Sequence, residues 1–102
     1  GFHMKFSIKA PTEGAALLCA GIYPKTAFQQ SEQKKDANGV PLWSVRVLNG
    51  AEPFNVTIAA DEQPAISQNQ LIEFNNLEVN ISKKGDSKLV WFTCDSVKKA
   101  GE

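Results

Sequence analysis

The chain has 102 residues, 42% of them hydrophobic, and its 11 basic and 11 acidic side chains give a formal net charge of zero. A chain of that length builds one hydrophobic core, which excludes a multidomain machine, and the balanced charge excludes a global field that would draw the protein to a polyanion. No apolar run approaches the roughly 18 to 20 residues of a membrane span, and no basic-then-apolar leader is visible, so the expectation is one cytoplasmic domain with no membrane partner.

Gly1-Phe2-His3 reads as a cloning remnant ahead of an initiator at Met4. On that reading His3, the single histidine, is not native, and histidine-based triads and metal sites are not expected. The domain is then expected over residues 5–98, with 99–102 as a flexible tail. Lys5 to Ala10 alternates polar and apolar residues as a half-buried strand does, and Pro11-Thr12-Glu13-Gly14 ends it. Ala15 to Ile22 is apolar without strict alternation, which suits a buried strand or one short helix; we read it as a strand. Pro24 pushes Tyr23 into an extended conformation and breaks any helix there. Ala27 to Lys35 is polar and strand-tolerant, and Asp36-Ala37-Asn38-Gly39 follows as a turn in which Asn-Gly supplies positive φ. Leu42 to Leu48 is a clear strand, with Trp43, Val45 and Val47 on one face and Ser44 and Arg46 on the other.

Asn49 to Pro53 forms the next turn, and Phe54 to Ala60 alternates through Phe54, Val56 and Ile58. Asp61 to Gln70, with Pro64 and many amides, reads as a surface loop. Leu71 to Ile81 is a strand whose phase slips, from Ile72 and Phe74 to Leu77, Val79 and Ile81, which puts a β-bulge or sharp bend at Asn75-Asn76. Lys83 to Ser87 is a hairpin tip, and Leu89 to Val97 is the last strand, with Val90, Phe92 and Cys94 alternating against Leu89, Trp91 and Thr93. Cys19 and Cys94 lie in apolar stretches without a C-x-x-C neighbour and are expected to be buried thiols. Short strands at spacings of about ten residues, with no amphipathic helix, predict an all-β protein. The phase slip favours a small antiparallel OB-like barrel of about five to six strands, because closing a barrel requires strands that bend.

Catalysis finds little support. There is no pair of acids at a suggestive spacing, no Gly-rich phosphate loop, no G-x-S-x-G and no cluster of metal ligands, so neither an enzyme nor a cofactor is expected. Charge is unevenly distributed: no Lys or Arg lies between Val47 and Ser82, where Glu52, Asp61, Glu62, Glu73 and Glu78 fall. The bases collect at Lys25, Lys34, Lys35 and Arg46 and again at Lys83, Lys84, Lys88, Lys98 and Lys99, and a fold can bring both groups onto one face. Tyr23 with Lys25, Phe28 with Lys34 and Lys35, Trp43 with Arg46, and Trp91 with Lys88 each set a ring near a cation. That pairing lets a sheet surface stack unpaired bases while lysines and arginines, Lys84 among them, meet phosphates. Each ring also has a packing role open to it. Trp43 shares a face with Val45 and Val47, Tyr23 ends a strand, Phe28 lies among glutamines, and Trp91 points outward only if Val90 and Phe92 are core.

The segment Gln33 to Leu48, with Asp36, Gly39, Pro41, Leu42, Trp43, Val45, Val47 and Leu48 in a D-x-x-G-x-P-L-W-x-V-x-V-L pattern, resembles short proteins of actinobacterial plasmids, integrative elements and prophages. Those proteins carry a Y-x-P-K segment upstream, which stands here as Tyr23-Pro24-Lys25, one residue tighter. From Val45 onward the layout is also similar to the gene V type single-stranded-DNA-binding proteins of filamentous phages. The two likenesses span Met4 to Lys98 and imply an OB-like fold. They further imply a role in handling single-stranded DNA, with Lys34, Trp43 and Arg46 in the hairpin and Tyr23 and Lys25 before it as the carried-over contacts. The neutral charge departs from strongly basic binders. The expectation is therefore a sequence-tolerant binder of single-stranded DNA, with RNA as a further ligand, acting as a homodimer or cooperative oligomer. The alternative is an accessory module that docks on a host protein.

Overall fold

The computed structural model describes residues 3–9, 15–26, 31–49 and 52–101, with the backbone alone for 3–5. Among them there is no helix, and so none long and apolar enough to cross a membrane. Eight strands form instead: β1 (His3–Lys9), β2 (Leu17–Pro24), β3 (Leu42–Asn49), β4 (Glu52–Ala59), β5 (Leu71–Asn75), β6 (Glu78–Lys84), β7 (Ser87–Thr93) and β8 (Ser96–Lys99). They hydrogen-bond in the order β1-β6-β7-β4-β3-β2-β5-β8, antiparallel throughout except for β4 beside β7. The sheet curls into a half-barrel.

Eight strands replace the expected five to six because two long segments each break once, and they break at the same level. Asn76 adopts φ +57° between β5 and β6, and β7 ends two residues before Asp95. Asn76 Nδ2 donates to Asp95 Oδ2 (3.2 Å), and the Asp95 N–H donates to the Asn75 carbonyl (2.9 Å). Residues 71–99 thus form one antiparallel ribbon with a kink: Asn75 pairs with Ser96 below it, and Glu78 pairs with Thr93 above it. Leu77, fully buried at the kink, accounts for the phase slip seen in the sequence. Lys99, the first residue of the expected flexible tail, pairs with Ile72 as its neighbour Lys98 pairs with Glu73, and the Ala100 N–H donates to the Leu71 carbonyl.

The kinked ribbon covers both edges of the β2-β3-β4 meander. Its lower half meets β2 through Leu17–Ile72, and its upper half meets β4 through Val56–Phe92 and Thr57–Thr93. Inside the curl lie Cys19, Val45, Val47, Val56, Ile72 and Leu77, all fully buried. Alternation along β3 and β4 puts Val45, Val47, Val56 and Ile58 on that inner face. The 61–70 loop is not purely a surface feature, since Ile66 enters the core. Its end is also bonded to β2, with Asn69 N–H donating to the Cys19 carbonyl and Cys19 N–H to the Gln70 carbonyl. Cys19 is a buried free thiol and Cys94 a half-buried one.

The turn at Asp36–Gly39 forms, but β3 takes its partner from elsewhere. Asp36 and Gly39 close a tight turn in which only Gly39 has positive φ (+82°), and Asp36 Oδ1 accepts from the Asn38 and Val40 N–H groups. Among the described residues the upstream arm makes the bridges Thr26–Gln33 and Lys35–Pro41, and its Lys34 carbonyl accepts from the Leu42 N–H (2.8 Å), while β2 pairs with β3 from Leu18–Leu48 to Pro24–Trp43.

Candidate nucleic-acid interface

Strand register places residues of one phase on the outer face of the curl. Tyr23 lies opposite Ser44, Ser44 opposite Thr57, and Thr57 beside Thr93. One step along, Gly21 lies opposite Arg46 and Arg46 opposite Asn55, while Trp91 pairs with Asn80. A face built this way carries two rings, Tyr23 and Trp91, separated by hydroxyl and amide side chains and flanked by cations.

Tyr23 is set by a special backbone position. The pairing of β2 with β3 shifts register between Cys19 and Gly21, a β-bulge, and Gly21 takes φ +153°. A Cβ at Gly21 would fall within the contact distance of the Tyr23 ring, so the ring lies over bare backbone. Only glycine allows both the φ and the approach. Tyr23 keeps 52% exposure, which leaves one side of the ring open to solvent.

Lys25 follows Pro24 and folds back across the outer face, where its Nζ donates to Thr57 Oγ1 at 2.7 Å. Burial pushes its pKa below the ordinary 10.5, and the nearby Lys34 cation adds to the shift. Lys34 is held close by its N–H, which donates to the Lys25 carbonyl (2.7 Å). A half-buried ammonium beside a second cation gains more from an anionic or carbonyl ligand than a solvated one does.

Trp91 lies opposite a buried amide on the neighbouring strand. Asn80, only 8% exposed, accepts from Ser7 Oγ and donates through Nδ2 to Thr93 Oγ1 (2.9 Å) and to the Trp91 carbonyl (3.4 Å). A buried amide with both ends satisfied locks β1, β6 and β7 in register. Beyond Val56–Phe92 the ladder between β4 and β7 stops, and the first halves of the two strands leave a cleft of about 390 Å³ between them. Lys25, Ser44, Asn55 and Thr57 line one side, and Trp91 and Val90 the other. The Phe54 and Phe92 rings, with centroids 4.8 Å apart, also line it.

Of the residues proposed from sequence, the structure puts Lys25 and Trp91 on the walls of one cleft, holds Lys34 beside Lys25, and by strand alternation sets Tyr23 and Arg46 on the same outer face. Trp43 stands apart from them: it is on the inner face, packed against the core, with Nε1 donating to the Ala60 carbonyl (2.9 Å). Its expected partner Arg46 points from the opposite face of the same strand. Lys84 and Lys88 sit near the tip of the β6–β7 hairpin on opposite faces, and Lys88 does not share the face of Trp91. Lys35 is exposed at the bridge to Pro41, and Phe28 lies outside the described residues. Sequence reasoning missed Ser44, Asn55, Thr57 and Thr93, although the repeated outward phase Asn55-x-Thr57 and Trp91-x-Thr93 was there to be read. Among the described residues no group of three or more His, Cys, Asp and Glu is placed to hold a metal.

The fold and this face define an all-β protein whose curled sheet presents a polar, ring-bearing outer surface. Comparison with known protein families, curated proteins and solved structures gives no match to the chain.

Proposed function

We propose that the chain binds single-stranded nucleic acid on the outer face of its curled sheet, as an OB-like binding domain, in the DNA handling of a mobile element or phage. The observation that carries this reading is the placement of Tyr23 and Trp91 on one face with Lys25 between them. Unpaired bases stack on such rings, each worth about 1 to 3 kcal/mol, while cations beside them meet the phosphates. A duplex offers no exposed base faces to the same rings, so the site favours single strands.

Lys34 and Arg46 are the phosphate-facing cations in this reading, with Lys25 set in the cleft beside them. Neutralising roughly two phosphates gives a shallow salt dependence, with a log–log slope of about −1.4 for a single strand. Fluorescence anisotropy with a labelled 12-nucleotide strand and its duplex, at increasing salt, tests the proposal. Saturable binding of the strand, weaker binding of the duplex and a shallow negative slope support it; equal affinity for strand and duplex refutes it.

A further inference from the structure

The cleft between β4 and β7 has a shape and a donor set that go beyond non-selective stacking. The two strands are hydrogen-bonded at Val56–Phe92 and Thr57–Thr93 and unpaired before those positions, so the ladder closes this wedge at its Thr57 end. Trp91 forms part of one wall. At the closed end, the Lys25 ammonium lies 2.7 Å from the Thr57 hydroxyl. An ammonium has three N–H donors and no acceptor, and this hydrogen bond uses one of them. A volume of about 390 Å³ lies in the range of small-ligand pockets.

A base that enters such a wedge from its mouth keeps its sugar outside, because the backbone of the strand cannot follow it in. The atom farthest from the sugar on a pyrimidine ring is C4, so the C4 substituent arrives first at the closed end. In thymine and uracil that substituent is a carbonyl, an acceptor; in cytosine it is an amino group, a donor. A lysine ammonium satisfies the carbonyl and opposes the amino group. Discrimination follows because the ammonium at that position then faces a donor and loses the partner that the carbonyl would give it.

We infer that the β4–β7 cleft is a single-base pocket that selects 4-keto pyrimidines over cytosine, with Lys25 as the selecting residue and Trp91 as the stacking wall. This rests on the single-strand reading above and narrows it from sequence-tolerant binding to a base preference at one position. Asn55 and Ser44, which can both donate and accept, discriminate less. The depressed pKa of Lys25 agrees with the geometry, since a partly dehydrated ammonium has most to gain from an acceptor.

The test compares 12-nucleotide dT, dU and dC strands by anisotropy at pH 7.5 with the full chain, with Lys25→Met and with Lys25→Gln. The expected result is at least about tenfold tighter binding of dT and dU than of dC. Both variants, checked for folding by circular dichroism, should still bind and should lose that preference. The Gln amide can turn to serve either base, so it levels the affinities even if Lys25→Met folds poorly. Equal binding of dT and dC by the unmodified chain overturns the inference while leaving single-strand binding intact. So does dU behaving like dC, which would assign the preference to the thymine methyl group, and so does a preference that survives Lys25→Gln. No binding of any strand overturns both this inference and the function on which it rests.

Discussion

Replacing Gly21 by alanine strikes the one backbone position on which the Tyr23 platform depends. At φ +153° an L-residue is held in a region that costs of the order of 1 to 3 kcal/mol. The new Cβ also collides with the Tyr23 ring, which must leave its seat. Tyr23 is about half-buried, so displacing it gives up part of its apolar contact, about 1 kcal/mol at 25 cal/mol per Å² over roughly 40 Å². The sum is about 2 to 4 kcal/mol, a large share of the roughly 5 to 15 kcal/mol that holds a domain together, and corresponds to a fall in Tm on the order of 10 to 25 °C. Urea denaturation of Gly21→Ala, Tyr23→Ala and the double variant separates the two terms. In the Tyr23→Ala background the collision is gone and only the backbone cost remains, so Gly21→Ala should cost about 1 kcal/mol less there. The same cost in both backgrounds, or less than about 0.5 kcal/mol in the unmodified chain, refutes the reasoning.

Asn80→Leu leaves Ser7 Oγ and Thr93 Oγ1 without their shared partner and should cost about 1 to 3 kcal/mol in urea denaturation. A loss below about 0.5 kcal/mol contradicts the bracing role given to this amide. Lys25→Met removes an ammonium whose charge burial disfavours, so at pH 7 the variant should be as stable as the parent or more so while binding nucleic acid less tightly; a clear drop in Tm counts against this. The sign follows from linkage: the folded pKa lies below the unfolded 10.5, the unfolded chain binds more protons between the two values, and stability gained from Lys25 rises with pH across that window. For the same reason, affinity for single strands should fall as pH rises through the lowered Lys25 pKa, earlier than an ordinary lysine requires. In Lys25→Met that part of the titration should vanish. Trp43→Phe deprives the Ala60 carbonyl of its indole donor and should cost about 1 to 2 kcal/mol of stability without weakening binding.

How far the sequence could be read follows from which features are local. The alternation of β3 and β4 was legible because each strand has one buried face, which fixes the phase residue by residue. The opposite facing of Trp43 and Arg46 followed from that alternation, and so did the conditional outward phase of Trp91. The kink at Asn75-Asn76 left a trace in the phase slip, yet the matching break at Cys94–Asp95 did not. Reading residues 71–99 as one ribbon required knowing that the two breaks share a level. The β2–β3 pairing was not legible because the Asp36–Gly39 turn is a strong local signal, whereas that pairing spans a long intervening segment that carries no local mark. The cleft was illegible for a related reason. It exists only because β4 and β7, distant in the chain, meet in parallel for two residue pairs and then diverge. Ser44, Asn55 and Thr57 gain their place in the candidate site from that meeting alone.

Two single-tryptophan proteins test the central claim most directly: Trp43→Phe, which keeps Trp91, and Trp91→Phe, which keeps Trp43. Each is titrated with a dT strand at low salt while intrinsic fluorescence is followed. Stacking on the outer face predicts strong saturable quenching in the protein that keeps Trp91, and little change in the one whose remaining indole is bonded to the Ala60 carbonyl against the core. Quenching that stays with Trp43, or a strand that binds without altering Trp91 emission, would contradict the assignment of this face as the nucleic-acid interface.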